Sequence, residues 1–361
     1  MIMWPDKRWL DLVGTELPII QAPMAGAQGS AMATAVCEAG GLGSLPCAML
    51  DVDKARAEIG IIRQRAAGPL NLNFFCHEPA APDPAADQCW RETLRPFYVE
   101  KGLDPEADMP SVNRAPFDDA MCALVEEARP EVVSFHFGLP AAGLLSRVKA
   151  AGSIVISSAT SVAEARWLAE RGVDAIIAQG YEAGGHRGIF LRDDISSQAG
   201  TMALVPQVVD AVDLPVIAAG GITDGRGIAA AFALGASAAQ IGTAYLFTPE
   251  AVISDMHRSA LNEASDDGTA LTNLFSGRPA RGLFNHIMRE LGPMSDNAPA
   301  FPTAGGALAP LKAAAEADGK ADFSSLWSGQ AASLGKPMAA GQLTCTLAEE
   351  ALARLRSLGT N

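Results

Sequence analysis

Ten consecutive residues, Gln179-Gly180-Tyr181-Glu182-Ala183-Gly184-Gly185-His186-Arg187-Gly188, combine a titratable base with backbone freedom. Three glycines within five residues (184, 185 and 188) allow a close approach to a ligand or a positive φ. His186 stands in the middle of that stretch, and an imidazole serves as a base near neutral pH. The plain alternative is a surface loop with an incidental histidine.

A second signal is Ala218-Ala219-Gly220-Gly221-Ile222-Thr223-Asp224-Gly225-Arg226-Gly227, followed by Gln240-Ile241-Gly242-Thr243. Glycines leave backbone N–H groups uncovered, and a following helix N-terminus favours an anion such as phosphate. Tight turning between strand and helix is the alternative. No GxxxxGK[ST] loop occurs, and no GxGxxG follows an early strand, which disfavours a P-loop or a Rossmann dinucleotide site.

A third signal is Gln21-Ala22-Pro23-Met24-Ala25-Gly26, whose small residues and Met24 would let a flat aromatic ring lie against the backbone. Asn71 and Asn73 alternate and so share one face, where amides need partners. His136, in Ser134-Phe135-His136-Phe137-Gly138-Leu139-Pro140, shares a face with His186 and is a substrate-pocket candidate. His77, His257 and His286 read as structural or unassigned. No HExxH helix, telling carboxylate pair or GxSxG elbow occurs, so metal, glycosidase and serine-hydrolase chemistry are not indicated.

These residues end or follow short apolar runs at 18–24, 41–46, 70–76, 131–138, 153–159, 174–180, 215–221 and 238–247. Continuous apolar runs suit strands covered on both faces. Helical patterns fall between them at 30–39, 51–66, 116–129, 142–151, 161–171, 201–212 and 224–235, with Ser161 and Glu164 at capping-box spacing. The repeat predicts an α/β fold, a (β/α)8 TIM barrel, with catalytic loops at the C-terminal strand ends. An open doubly wound sheet is the alternative. The division read is 1–247 as the barrel, with a Pro-, Ala- and Asp-rich loop insertion at 77–115. The stretch 248–361 then forms a smaller, mainly helical unit over the barrel mouth.

The chain has 361 residues, 27 basic and 41 acidic, a net charge of −14. Such a balance lacks the basic footprint of a nucleic-acid binder and repels an anionic membrane. No apolar run approaches the ~20 residues of a membrane span, and Met1 to Leu10 lacks a signal-peptide pattern. Six scattered cysteines without a CxxC pair read as reduced thiols, buried as small hydrophobes in a cytoplasmic protein.

Four segments together resemble the nitronate monooxygenase family, formerly called 2-nitropropane dioxygenases, and its class I members in particular. They are QAPMAG at 21–26, SFHFGLP at 134–140, QGYEAGGHRG at 179–188 and IAAGGITDGRGIAAAFALGASAAQIGTAYL at 217–246. Ser325-Leu326-Trp327-Ser328-Gly329-Gln330 extends the likeness into the tail. The resemblance implies a barrel holding FMN noncovalently, and oxidation of alkyl nitronates such as propionate 3-nitronate by O2. A carbonyl compound and nitrite or nitrate would result. It implies FMN contacts at Met24, Asn73, Gln179, Gly184, Gly221, Gln240, Ile241, Gly242 and Thr243, with Gly220 a neighbouring candidate. Asn73 is preferred to Asn71 because it lies just before Phe74-Phe75. His186 would be the active-site histidine, taking the α-proton of a nitroalkane or, protonated, holding a nitronate anion. The partners implied are the small-molecule substrate and O2; a homodimer is left open.

One departure stands out. Class I relatives often carry a tyrosine ahead of a proline in the tail, where Phe301-Pro302 stands here. Two other functions compete: an FMN-dependent NAD(P)H reductase of a quinone or enoyl thioester on the same barrel, and a non-catalytic FMN-binding scaffold.

Overall fold

The computed structural model describes residues 4–107, 109–110 and 114–359. Positions 108 and 111–113 of the expected insertion, and 1–3 and 360–361, lie outside them. The strands are β1 (Ile19–Gln21), β2 (Gly43–Pro46), β3 (Leu70–Phe75), β4 (Val132–His136), β5 (Ile154–Ala159), β6 (Ala175–Gln179), β7 (Gly185–His186), β8 (Val216–Ala219), β9 (Ala238–Ile241), β10 (Thr269–Thr272) and β11 (Ala280–Leu283). The α-helices are α1 (Arg8–Val13), α2 (Ser30–Glu38), α3 (Val52–Arg65), α4 (Pro84–Glu100), α5 (Asp119–Ala128), α6 (Ala142–Ala150), α7 (Val162–Glu170), α8 (Thr201–Val209), α9 (Gly225–Ala233), α10 (Asp255–Asn262), α11 (His286–Glu290), α12 (Ala304–Ala317) and α13 (Ala340–Gly359).

Eight parallel strands run in the order β1-β9-β8-β6-β5-β4-β3-β2. A parallel bridge between Ile20 and Leu42 joins the first to the last, with Leu42 N donating to Ile19 O at 2.9 Å. This is a TIM barrel. Side chains alternate across each strand. Ile20, Val132, Ile156, Ile177 and Ile217 fill the interior together with Trp9 of α1, which is fully buried. Their neighbours Ile19, Val133, Val155, Ile176 and Val216 pack outward in the cluster shared with the helices. The same alternation turns Asn73, His136, Ser158, Gln179 and Gln240 inward at the C-terminal strand ends, where they line one cavity.

Two expectations need correction. The 77–115 insertion is not all loop, since it carries α4. Pro84 sits in the first turn of that helix, where no N–H is needed, and Asp83 caps it. Trp90, Leu94, Phe97 and Tyr98 form a buried stripe facing α12. Trp90 Nε1 donates to Ala304 O (3.0 Å) and Tyr98 Oη to Ala307 O (2.5 Å). The covering unit is mainly helical and also carries a three-stranded antiparallel sheet of β10, β11 and β7. Finally, α13 packs on α9 and α2, in the ring of barrel helices, so a division at 247 leaves a barrel helix on the wrong side.

Candidate active site

His186 is placed by two units at once. Its backbone forms β7, which pairs with β11 of the covering sheet. Its carbonyl accepts from His136 Nε2 (3.2 Å) and from Gln179 Nε2 (3.0 Å), both on barrel strands. Gln179 Oε1 accepts from Gly188 N at 2.8 Å. The loop from 180 to 188 is thereby stitched to the end of β6.

Arg187 completes this anchoring. It is fully buried and donates to Gly180 O (2.6 Å), Gln179 O (2.7 Å) and Gln198 Oε1 (2.7 Å). Burial lowers its pKa to about 10, which leaves the guanidinium charged at neutral pH. Glu182 accepts from Thr201 N and Thr201 Oγ1 (both 2.8 Å), compensating the start of α8. Ser161 caps α7 as its spacing implies, accepting from Glu164 N at 3.2 Å. The Glu164 carboxylate turns instead to Thr160 N (2.7 Å) and Phe190 N (2.8 Å), tying the far end of the loop to the barrel.

One ring nitrogen of His186 is tied to a hydroxyl. Its Nε2 lies 2.8 Å from Ser276 Oγ, in the turn between β10 and β11. That hydroxyl donates to Arg278 O at 3.2 Å, so toward His186 it accepts. This arrangement assigns the ring hydrogen to Nε2 and the lone pair to Nδ1. Burial pushes the His186 pKa well below the ordinary histidine value, and Arg114, His136, Arg278 and His77 push it the same way. Of the two roles expected of His186, a neutral base and a protonated holder of an anion, this direction favours the first. The group is a neutral base.

His136 has no free ring nitrogen. Nε2 donates to the His186 carbonyl, and Nδ1 accepts from Ser158 Oγ at 3.1 Å. Burial lowers its pKa to about 4. It lines the cavity, but as a fixed neutral ring. His257 also lines it, and donates from Nε2 to Trp327 O at 3.1 Å. Phe301 stands beside the base, its ring centroid 5.4 Å from that of His186 and 4.8 Å from that of His77. Phe75 and Phe137 complete this aromatic wall.

The cavity has a volume of about 540 Å³, within the range of small-ligand sites. The structure gathers Met24, Asn73, Gln179, Gly184, Gly220, Gly221, Gln240, Gly242 and Thr243 on its walls. Ile241 is not among them; alternation turns it outward into the core behind the strand. Gly220 and Gly221 hold φ of 113° and 68°, in the left-handed region that favours glycine. At Gly184 the missing side chain admits another part of the chain: a Cβ would stand 2.5 Å from Gly329 N. Gly329 N in turn donates to Thr243 Oγ1 at 2.9 Å. One buried polar atom on the wall, Gln240 Oε1, has no partner.

Sequence reasoning assigned no role to Ser276, Arg187 or Arg114. Arg187 sits inside the quoted loop, and its neighbours gave no hint that it is buried. Ser276 and Arg114 lie in irregular stretches without periodicity. Among the described residues no helix is long and apolar enough to cross a membrane, and no cluster of three His, Cys, Asp or Glu could hold a metal ion.

Known proteins of the same build are close in sequence. The family model described as nitronate monooxygenase matches residues 6–350. A nitronate monooxygenase of Paraburkholderia phytofirmans is 44% identical over 344 residues, covering 94% of both chains. One from Pseudomonas aeruginosa is 41% identical, covering 95% of this chain and 98% of its own. Among solved structures, nitroalkane oxidase from Streptomyces ansochromogenes superposes with a TM-score of 0.87 at 39% identity, covering 97% of this chain and 99% of that one. A TIM barrel with a neutral histidine at its mouth, matched along nearly its whole length, is thus an oxidoreductase that belongs to the nitronate monooxygenase family.

Proposed function

We propose that the protein oxidises alkyl nitronates of the propionate 3-nitronate type, and nitroalkanes, with bound FMN and O2, giving a carbonyl compound and nitrite or nitrate. The observation that carries this reading is His186, its Nε2 held by Ser276, on the wall of a cavity that offers amides and glycines to a flat ring. The residues fit FMN. Gln240 Oε1 is a buried acceptor without a donor, and a flavin ring N–H would supply one. Asn73 and Met24 belong to the same wall, and Gly220, Gly221, Gly242 and Thr243 provide main chain for a phosphate.

When bound, FMN supplies the electron-accepting chemistry and the reaction with O2. The chain's own residues do the rest. His186 Nδ1 takes the α-proton of a neutral nitroalkane, while Ser276 keeps the other proton on Nε2. His136 and Gln179 fix the backbone from which the base projects. Phe75, Phe137 and Phe301 exclude water and strengthen the local electrostatics.

The deciding experiment mixes the purified, FMN-loaded protein anaerobically with propionate 3-nitronate and follows the visible flavin bands. Bleaching of those bands supports the proposal. Bands unmoved by nitronate but bleached rapidly by NADH would establish the reductase reading instead. Bands that neither reagent moves would favour a non-catalytic flavin scaffold.

A further inference from the structure

With His186 neutral, another group must answer the charge of an anionic substrate. The net charge of −14 is repulsive, so any attraction is local. Resting on the nitronate reading, we propose that Arg114 binds the nitronate head, its guanidinium facing the two oxygens of the planar anion in the cavity.

The argument is one of elimination among cations. Lys312 lines the cavity but sits 3.8 Å from the Glu316 carboxylate. Arg281 donates to Tyr181 O and Thr269 Oγ1 (both 3.1 Å). Arg278 lies behind the aromatic wall over Phe137, donates to Ile189 O, and has Asp193 and Glu164 in its field. Arg114 differs from all three. It lines the cavity with His186, which Arg278 does not; its Nε, like that of Arg278, is buried without a partner. Among the described residues no carboxylate pairs with it. Its guanidinium lies 5.7 Å from the centroid of Phe301, the ring that also flanks His186. A desolvated cation without a counter-ion is unfavourable, and a bound anion removes that penalty. The guanidinium fork matches two coplanar oxygens, which a lysine ammonium does not.

The test uses FMN-loaded wild type, Arg114→Met and Arg114→Lys. Inorganic nitrate, planar and anionic, is the probe in isothermal titration calorimetry. The expected result is nitrate binding weakened about 30-fold or more in Arg114→Met and only several-fold in Arg114→Lys. KM for propyl-2-nitronate should rise in parallel, while KM for neutral nitroethane moves less than about 3-fold. Nitrate binding unchanged in Arg114→Met overturns the proposal, as does an equal loss with nitronate and nitroethane. If Arg114→Met does not fold, Arg114→Lys decides: KM raised for nitronate alone supports the assignment, and KM unchanged overturns it. Wild type inert toward nitronate would instead sink the reaction proposed above, while the nitrate titration still judges Arg114 as an anion site.

Discussion

Ser276 Oγ and His186 Nε2 lie 2.8 Å apart although 90 positions separate them in the chain. His186 lies on β7 of the small covering sheet and Ser276 in the turn joining two of its strands; neither is on a barrel strand. The hydroxyl sets which nitrogen of the imidazole is bare. Ser276→Ala removes that control and lets the ring take either tautomer. We expect kcat/KM for nitroethane to fall about 10- to 100-fold, with the nitronate, which needs no proton removed, much less affected. Steady-state kinetics on the two substrates checks the split.

His186→Asn should retain FMN, because the cofactor walls come from other residues, yet lose about 10²- to 10⁴-fold in kcat/KM for nitroethane. Flavin absorbance and the rate are read on the same preparation. Activity close to wild type would remove His186 from the chemistry.

The pH profile follows from burial. A base whose pKa is held well below the usual 6.5 stays neutral across the physiological range. Wild-type kcat/KM for nitroethane should therefore be flat from about pH 6.5 to about pH 7.5 and fall only on the acid side. An acid limb centred near 6.5 is the contrary result.

Stability should respond to acid for a related reason. His136 and His257 are buried neutral, each with its pKa lowered to about 4, chiefly by burial. In the unfolded chain they protonate near 6.5. Between those values the unfolded state binds more protons, so acidification favours unfolding. Stability is lost as pH falls from about 6.5 to about 4, by at most roughly 3 kcal/mol per histidine. Denaturant melts at stepped pH read this directly, and His257→Gln should flatten the dependence.

Gly184→Ala tests the contact between the loop and the tail. The new Cβ would stand 2.5 Å from Gly329 N and 2.6 Å from Ser328 C. Main chain must move, which costs about 1–3 kcal/mol. A lower thermal midpoint and weaker FMN retention are expected, since Gly329 also donates to Thr243.

The barrel was legible because its strands are buried on both faces and its helices are not. Each apolar run predicted a strand, and each became one. Alternation did more: the inward positions at the strand ends, Asn73, His136, Gln179 and Gln240, are the cavity wall. In the continuous run that the family likeness carried, alternation separates the side chains: Ile241 faces the core beside inward Gln240. The covering unit was harder. Pro84 and Pro96 disguised α4, although its apolar residues keep helical spacing. The strands β10 and β11 are four residues each, and their register depends on a partner from elsewhere in the chain. The protonation of His186 depends on enclosure and on Arg114 and Arg278, which no local spacing reveals.

The helix that completes the barrel ring, α13, comes after the cover segments in chain order. The cover, apart from β7 and α4, is synthesised between β9 and that helix. Until α13 emerges, the faces of α2 and α9 that it covers stand open to solvent. During synthesis the lid segments that follow β9 are therefore finished before the helix that closes the vessel they cover.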